Sequence, residues 1–113
     1  MTPALDLTTY DRLVCDVNVE GAEPARIAVA FDAKGYCEAA PVELESGRNL
    51  AVTCRLGAKT FKTAPAWKND SAMPGRARVT GVYVLIYDGG RRTIELDNVR
   101  LERGAAPAER ENR

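Results

Sequence analysis

The sequence predicts an all-β, antiparallel sandwich, on three observations. Apolar residues alternate with polar ones at a period of two along most of the chain, and clusters of Gly, Pro, Asn and Asp break these runs at close intervals. The third lies in the last regular segment, Thr93 to Arg103, where the alternation changes phase. Ile94 and Leu96 share a face, and Val99 and Leu101 join it only if Asp97 and Asn98 absorb one extra residue, as a β-bulge does.

The elements follow in order. Asp11 to Glu20 alternates strictly, with Leu13, Cys15, Val17 and Val19 on one face and Val14, Asp16 and Asn18 on the other. Gly21-Ala22-Glu23-Pro24 is turn chemistry. Arg26 to Asp32 then sets Ile27, Val29 and Phe31 in one row, and Ala33-Lys34-Gly35 turns the chain. Tyr36 to Glu45 reads as a third strand, with Pro41 marking an edge or a bend. Ser46-Gly47-Arg48-Asn49 is a tight turn, after which Leu50, Val52, Cys54 and Leu56 form an inward row. Arg78 to Tyr87 has Val82, Val84 and Ile86 on one side and Tyr83, Leu85 and Tyr87 on the other. Two apolar faces imply a central strand, and Asp88-Gly89-Gly90 supplies a hairpin turn into the bulged final strand. Between them, Gly57 to Gly75 holds two prolines, the only Trp and a Lys-Asn-Asp-Ser cluster. It reads as a long loop, and such loops in small domains tend to carry function.

Composition limits what this fold can do. The chain has 113 residues, 45% hydrophobic and 28% charged, which fits one globular domain. We assign residues 1–103 to the sandwich and 104–113, an Ala, Pro, Glu and Arg stretch without apolar anchors, to a tail or linker. Sixteen basic residues balance sixteen acidic ones, so there is no basic field for nucleic acid or an anionic membrane. No apolar run approaches the roughly 20 residues that span a bilayer. The three cysteines cannot all pair within one chain, and none has zinc-site spacing. Cys15 and Cys54 fall on apolar faces and read as buried hydrophobes, with a mutual disulfide as the alternative. Cys37, after Gly35 and Tyr36, reads as the exposed thiol.

Catalysis is disfavoured on the same grounds. The chain has no His, which removes Ser-His and Cys-His nucleophilic schemes and the commonest general base. The strand carboxylates Asp16, Asp32, Glu43 and Glu45 read as solvated polar positions, so the expectation is a non-enzyme.

Four segments resemble, in order, the galactose-binding-like β-jelly-rolls, above all the carbohydrate-binding modules attached to polysaccharide-degrading enzymes. Leu5-Asp6-Leu7-Thr8-Thr9-Tyr10-Asp11-Arg12-Leu13 is similar to their Asp-Leu-Ser-x-Tyr-Asp-x-Leu opening, and Leu44-Glu45-Ser46-Gly47-Arg48-Asn49-Leu50 to their Leu-x-x-Gly-x-Asn turn. Arg78-Val79-Thr80-Gly81-Val82-Tyr83-Val84 and Leu96-Asp97-Asn98-Val99-Arg100-Leu101 complete the pattern. The resemblance implies a jelly-roll and a secreted or cell-surface setting within a longer chain. It also implies an opening strand upstream of Leu5, a portion that often carries part of a structural calcium site. Asp97, in the bulge, is the one calcium candidate here, although calcium takes about six to eight oxygens and the favoured reading is that Asp97 and Asn98 hydrogen-bond the backbone that the bulge leaves unpaired.

A sugar site needs flat aromatic platforms beside hydrogen-bonding groups. The chain has one Trp, four Tyr and two Phe. Phe31 and Phe61 read as core, Tyr10 as packing, and Tyr36 as an amphipathic surface residue. The expected ligand residues are Trp67 with its neighbours Asn69 and Asp70, Tyr83 and Tyr87 on one face of their strand, and Arg78. The expected function is non-catalytic binding of a poly- or oligosaccharide. The alternative is a structural module that self-associates or pairs with neighbouring protein through an open sheet edge.

Overall fold

A computed structural model describes residues 4–87 and 93–104, and every regular element among them is a strand. β1 (Arg12–Val19) is the centre of one antiparallel sheet, flanked by β5 (Gly47–Arg55) and β8 (Ile94–Glu102). β2 (Ala25–Ala33) is the centre of the other. β7 (Gly81–Ile86) lies along one side of β2, while β3 (Gly35–Glu38) and β4 (Val42–Leu44) share its other side, and β6 (Lys62–Thr63) pairs with β3.

The two sheets pack face to face through the rows that the alternation identifies. Cys15, Val17 and Val19 of β1 meet Ala25, Ile27 and Leu44 of the other sheet in one cluster. A second cluster gathers Leu7, Phe31, Cys37, Cys54, Leu56, Phe61, Met73 and Val79. Between these clusters an apolar cleft of about 280 Å³ is lined by Val29, Val52, Val84, Leu96 and Val99. The burial of these rows is the main force holding the sheets together, at about 25 cal/mol per Å² of apolar surface removed from water.

The bulge in the last strand is present. Val14 pairs with Arg100 but Asp16 with Asp97, so β8 spends one residue more than β1 over that interval. Asn98 takes a φ of 54° there, a left-handed conformation that Asn tolerates better than most residues. A second bulge, which the sequence did not announce, lies opposite on β5. Cys15 pairs with Val52 and Val17 with Asn49, and Ala51 carries the positive φ of 55°.

Asp16 ties the two together. Its Oδ1 accepts the Ala51 N–H at 2.9 Å and its Oδ2 accepts the Asn98 Nδ2 amide at 2.8 Å. These bonds hold the carboxyl below its ordinary pKa. One buried carboxylate thus satisfies the main-chain N–H of one bulge and anchors the side chain of the other.

Five expectations need correction. Leu50 is not in the inward row: the β5 bulge turns it outward, and it is 68% exposed. The third strand is two, since Ala39 to Pro41 interrupts it. Pro41 lies in this break, because it cannot donate to a ladder. β5 starts already at Gly47, within the expected turn. The Gly57 to Gly75 loop includes the short β6 and an isolated bridge between Phe61 and Ser71. Finally, β7 pairs only with β2 among the described residues, so it is an edge strand and not a central one. The Asp88-Gly89-Gly90 hairpin and the 105–113 part of the tail lie outside the described residues.

The cysteine reading is half corrected as well. All three thiols are free and buried, and Cys37, expected outside, is fully enclosed. Tyr36 takes the outward position, so strand alternation turns Cys37 into the core. Burial raises the pKa of all three thiols, that of Cys54 to about 12. Because the thiolate is the nucleophile, none of the cysteines should react with a thiol reagent in the folded protein, and all three should react in denaturant. Rapid native labelling of Cys37, mapped by mass spectrometry, would contradict this placement.

Candidate functional site

The outer face of the β2 sheet carries an aromatic and carboxylate row built by cross-strand register. Ala30 is opposite Tyr83 on one side and Glu38 on the other, and Glu38 is in turn opposite Lys62. Directly paired residues project from the same face. Tyr83, Ala30, Glu38 and Lys62 therefore form one line across four strands, with Asp32 and Tyr36 paired beside it.

Small residues make the line possible. Ala28 and Ala30 are almost wholly covered, and they leave space above β2 through which longer side chains reach across the sheet. The Tyr83 hydroxyl donates to Asp32 Oδ2 at 2.5 Å, and the Tyr87 hydroxyl donates to Glu38 Oε1 at 2.6 Å. Gly81 gives Tyr83 the same freedom, since a Cβ there would sit 2.8 Å from the Tyr83 hydroxyl oxygen.

Glu38 is the hub. It is 7% exposed although it points away from the core, and it accepts from the Tyr36 hydroxyl at 3.0 Å as well as from Tyr87. Lys62 Nζ is 3.4 Å from its Oε1. Burial by itself would raise the Glu38 pKa, but the two hydroxyls and the ammonium outweigh it and hold the carboxyl below its ordinary value. Glu38 is thus an ionised acceptor at neutral pH, not a proton donor. The tyrosines respond in the opposite sense. Burial first, then the bond and charge of Glu38, pushes Tyr36 up to about 12, and the bonds to Glu38 and Asp32 raise Tyr87 and Tyr83. All three remain neutral hydroxyls.

Trp67 completes the face from the long loop. Its ring is near-parallel to that of Tyr36, 22° between planes and 6.1 Å between centroids, and Lys62 Nζ is 4.8 Å from its centroid, within cation–π range. It is still 44% exposed. Its backbone has a φ of 57°, unfavourable for a large side chain, and the Trp67 N–H is fixed by the Thr63 carbonyl at 2.7 Å. A strained, exposed aromatic held by defined bonds is a feature that clusters at functional sites.

Of the residues expected from the sequence, Trp67, Tyr83 and Tyr87 come together here. Asn69 is close but occupied, donating from Nδ2 to the Thr60 carbonyl at 2.9 Å, so it secures the loop. Asp70 is exposed at the loop's far end, with the Ser71 hydroxyl 3.5 Å from its Oδ1. Arg78 is exposed, and no described contact joins its side chain to the row. Asp97 is also apart from it, on the other sheet, where its Oδ1 accepts the Asn98 N–H at 2.9 Å. Among the described residues no group of three or more His, Cys, Asp or Glu side chains is placed to hold a metal.

Glu38, Tyr36 and Lys62 are the residues that sequence reasoning missed. The i, i+2 spacing of Tyr36 and Glu38 was legible as a shared face, but only the register shows that Tyr83, Tyr87 and Lys62 share it. The arrangement offers two stacked, partly exposed aromatic rings beside hydroxyls and carboxylate acceptors, with two carboxylates against one ammonium. In comparisons with known proteins, no family model, curated protein or solved structure matches this chain.

Proposed function

We propose that this domain is a non-catalytic carbohydrate-binding module of galactose-binding-like jelly-roll type, and that its ligand is a neutral poly- or oligosaccharide bound on the outer face of the β2 sheet. The observation that carries the reading is the exposed Tyr36 and Trp67 pair beside Glu38. Aromatic rings take the C–H face of a pyranose, while hydroxyls and carboxylates take its O–H groups. The excess of carboxylate over ammonium at this face disfavours uronic acids and sulfated sugars, whose charge Asp32 and Glu38 repel.

A glycan array on the purified domain, with and without calcium, tests this directly. Binding to neutral glycans should exceed binding to anionic ones and should not depend on calcium. Trp67→Ala should then weaken binding by about 1 to 3 kcal/mol with little change in melting temperature, because the ring is exposed. Loss of stability without loss of binding would instead make Trp67 a cover for Tyr36, and would remove the main support for a sugar site.

A further inference from the structure

Among the described residues, β7 pairs only with β2, and the chemistry of its other edge calls for one partner. The Tyr87 N–H donates to the Arg26 carbonyl at 2.8 Å. Main-chain groups of successive residues in an antiparallel strand point to opposite sides. Tyr83, Leu85 and Tyr87 therefore direct theirs to β2, and Val82, Val84 and Ile86 direct theirs off the sheet. Leu5 covers only the approach to this edge, through paired N–H to carbonyl bonds with Val79 at 2.8 Å each. Past that bridge, no described residue pairs with the outward groups.

Exposed edges are normally blunted by charge, proline or a bulge. β8 has a bulge together with Glu95, Asp97 and Arg100, and β5 has a bulge with Arg48 and Arg55. Val79 to Tyr87 contains no charged residue and no proline, and Val82, Tyr83 and Ile86 are each more than 40% exposed. Among the described residues, the β7 edge has neither the charges nor the proline that blunt an edge.

We infer that β7 pairs antiparallel with β7 of a second copy of this chain, about a two-fold axis through Val84. The strand is self-complementary in that register. Val84 faces Val84, Val82 faces Ile86, and on the outer face Tyr83 faces Leu85, so each apposed pair is apolar or aromatic. The strand itself is uncharged, so no like charges are directly apposed across the seam. A two-fold axis normal to the sheet leaves both outer faces on one surface. The Tyr36, Trp67 and Glu38 groups of the two copies then form a bivalent face on a continuous sheet, suited to a polymer with repeated binding units. Val82 of this edge also lines the apolar cleft, with Leu96 and Val99 of the other sheet.

Light scattering and amide hydrogen exchange on the full chain test this without any sugar, so the result is independent of the carbohydrate reading. Two-chain mass should appear at concentrations on the order of 10 to 100 μM. The Val82, Val84 and Ile86 amides should gain protection with concentration, while those of Leu85 and Tyr87 stay protected throughout. Val84→Pro removes an N–H that bonds nothing within the sheet, so it should keep the far-ultraviolet spectrum and remain one chain at the same concentration. Three results would overturn the inference: single-chain mass at the upper concentration, edge protection independent of concentration, which means that the chain's own N-terminal segment covers β7, or concentration-dependent protection confined to Ile94 and Leu96 of β8.

Discussion

Phe61→Ala should lower the unfolding free energy by about 3 to 5 kcal/mol, the range for removing a fully buried aromatic from a core. The ring is completely enclosed and meets Phe31 of the central strand, with 6.0 Å between centroids and 54° between planes. It also anchors the loop that presents Trp67, because the Phe61 main chain exchanges hydrogen bonds with Ser71 at 2.9 and 3.0 Å. A loss of this size is a large share of the 5 to 15 kcal/mol that typically stabilises a domain. Urea titration should show the midpoint falling with an unchanged slope. The variant should also bind sugar less well than its folded fraction predicts, since the loop loses its seat. A change below about 1 kcal/mol would mean that the loop is held elsewhere, by Asn69 above all.

The second large effect is expected at Glu38. Glu38→Ala leaves two tyrosine hydroxyls and a lysine ammonium without their common acceptor, and hydrogen bonds to a charged group contribute about 1.5 to 3 kcal/mol each. The hydroxyls can turn to water, so the total loss should be about 2 to 3 kcal/mol rather than the sum of three bonds. Glu38→Gln keeps the shape and one acceptor, and should lose less.

The pH dependence follows from the direction of the shifts. Glu38 has a depressed pKa in the folded protein, so its contribution is complete above the unfolded Glu value of about 4.3 and disappears as pH falls through the lower folded value. Tyr36 is raised, so its contribution is complete below the unfolded Tyr value of about 10 and disappears as pH rises toward about 12. Thermal unfolding of the wild type and Glu38→Gln across this range should give curves that converge at the acid end. Parallel curves would show that the carboxylate is not coupled to the fold.

The bulge at Asp97 and Asn98 was legible because the evidence for it is local. An extra residue shifts the apolar phase of one strand, and Asn is among the few residues that accept a left-handed backbone. The bulge at Ala51 left no such trace, for Ala is a poor marker of positive φ. Its existence depends on Asp16, thirty-five positions away, so Leu50 was assigned to the wrong face. Cys37 was placed outside for a related reason, although Tyr36 beside it was read correctly as a surface residue. Alternation fixes that neighbours face opposite ways, but not which of the two faces the core.

The edge position of β7 shows where pattern reading stops. Its two apolar faces suggest a strand covered on both sides, yet one face packs inward and the other carries the tyrosines of the candidate site, and a period-two pattern reads the same for both. By itself the sequence determined the all-β class, the inward rows of β1 and β2, Phe31 among them, and the final bulge, because these follow from the periodicity and conformational preference of neighbouring residues. Only the tertiary structure decided that Tyr36, Glu38, Lys62, Trp67, Tyr83 and Tyr87 converge, and that β7 pairs with β2 alone among the described residues. Both depend on the register between strands distant in sequence, which is set by the packing of the whole sandwich and not by any one segment.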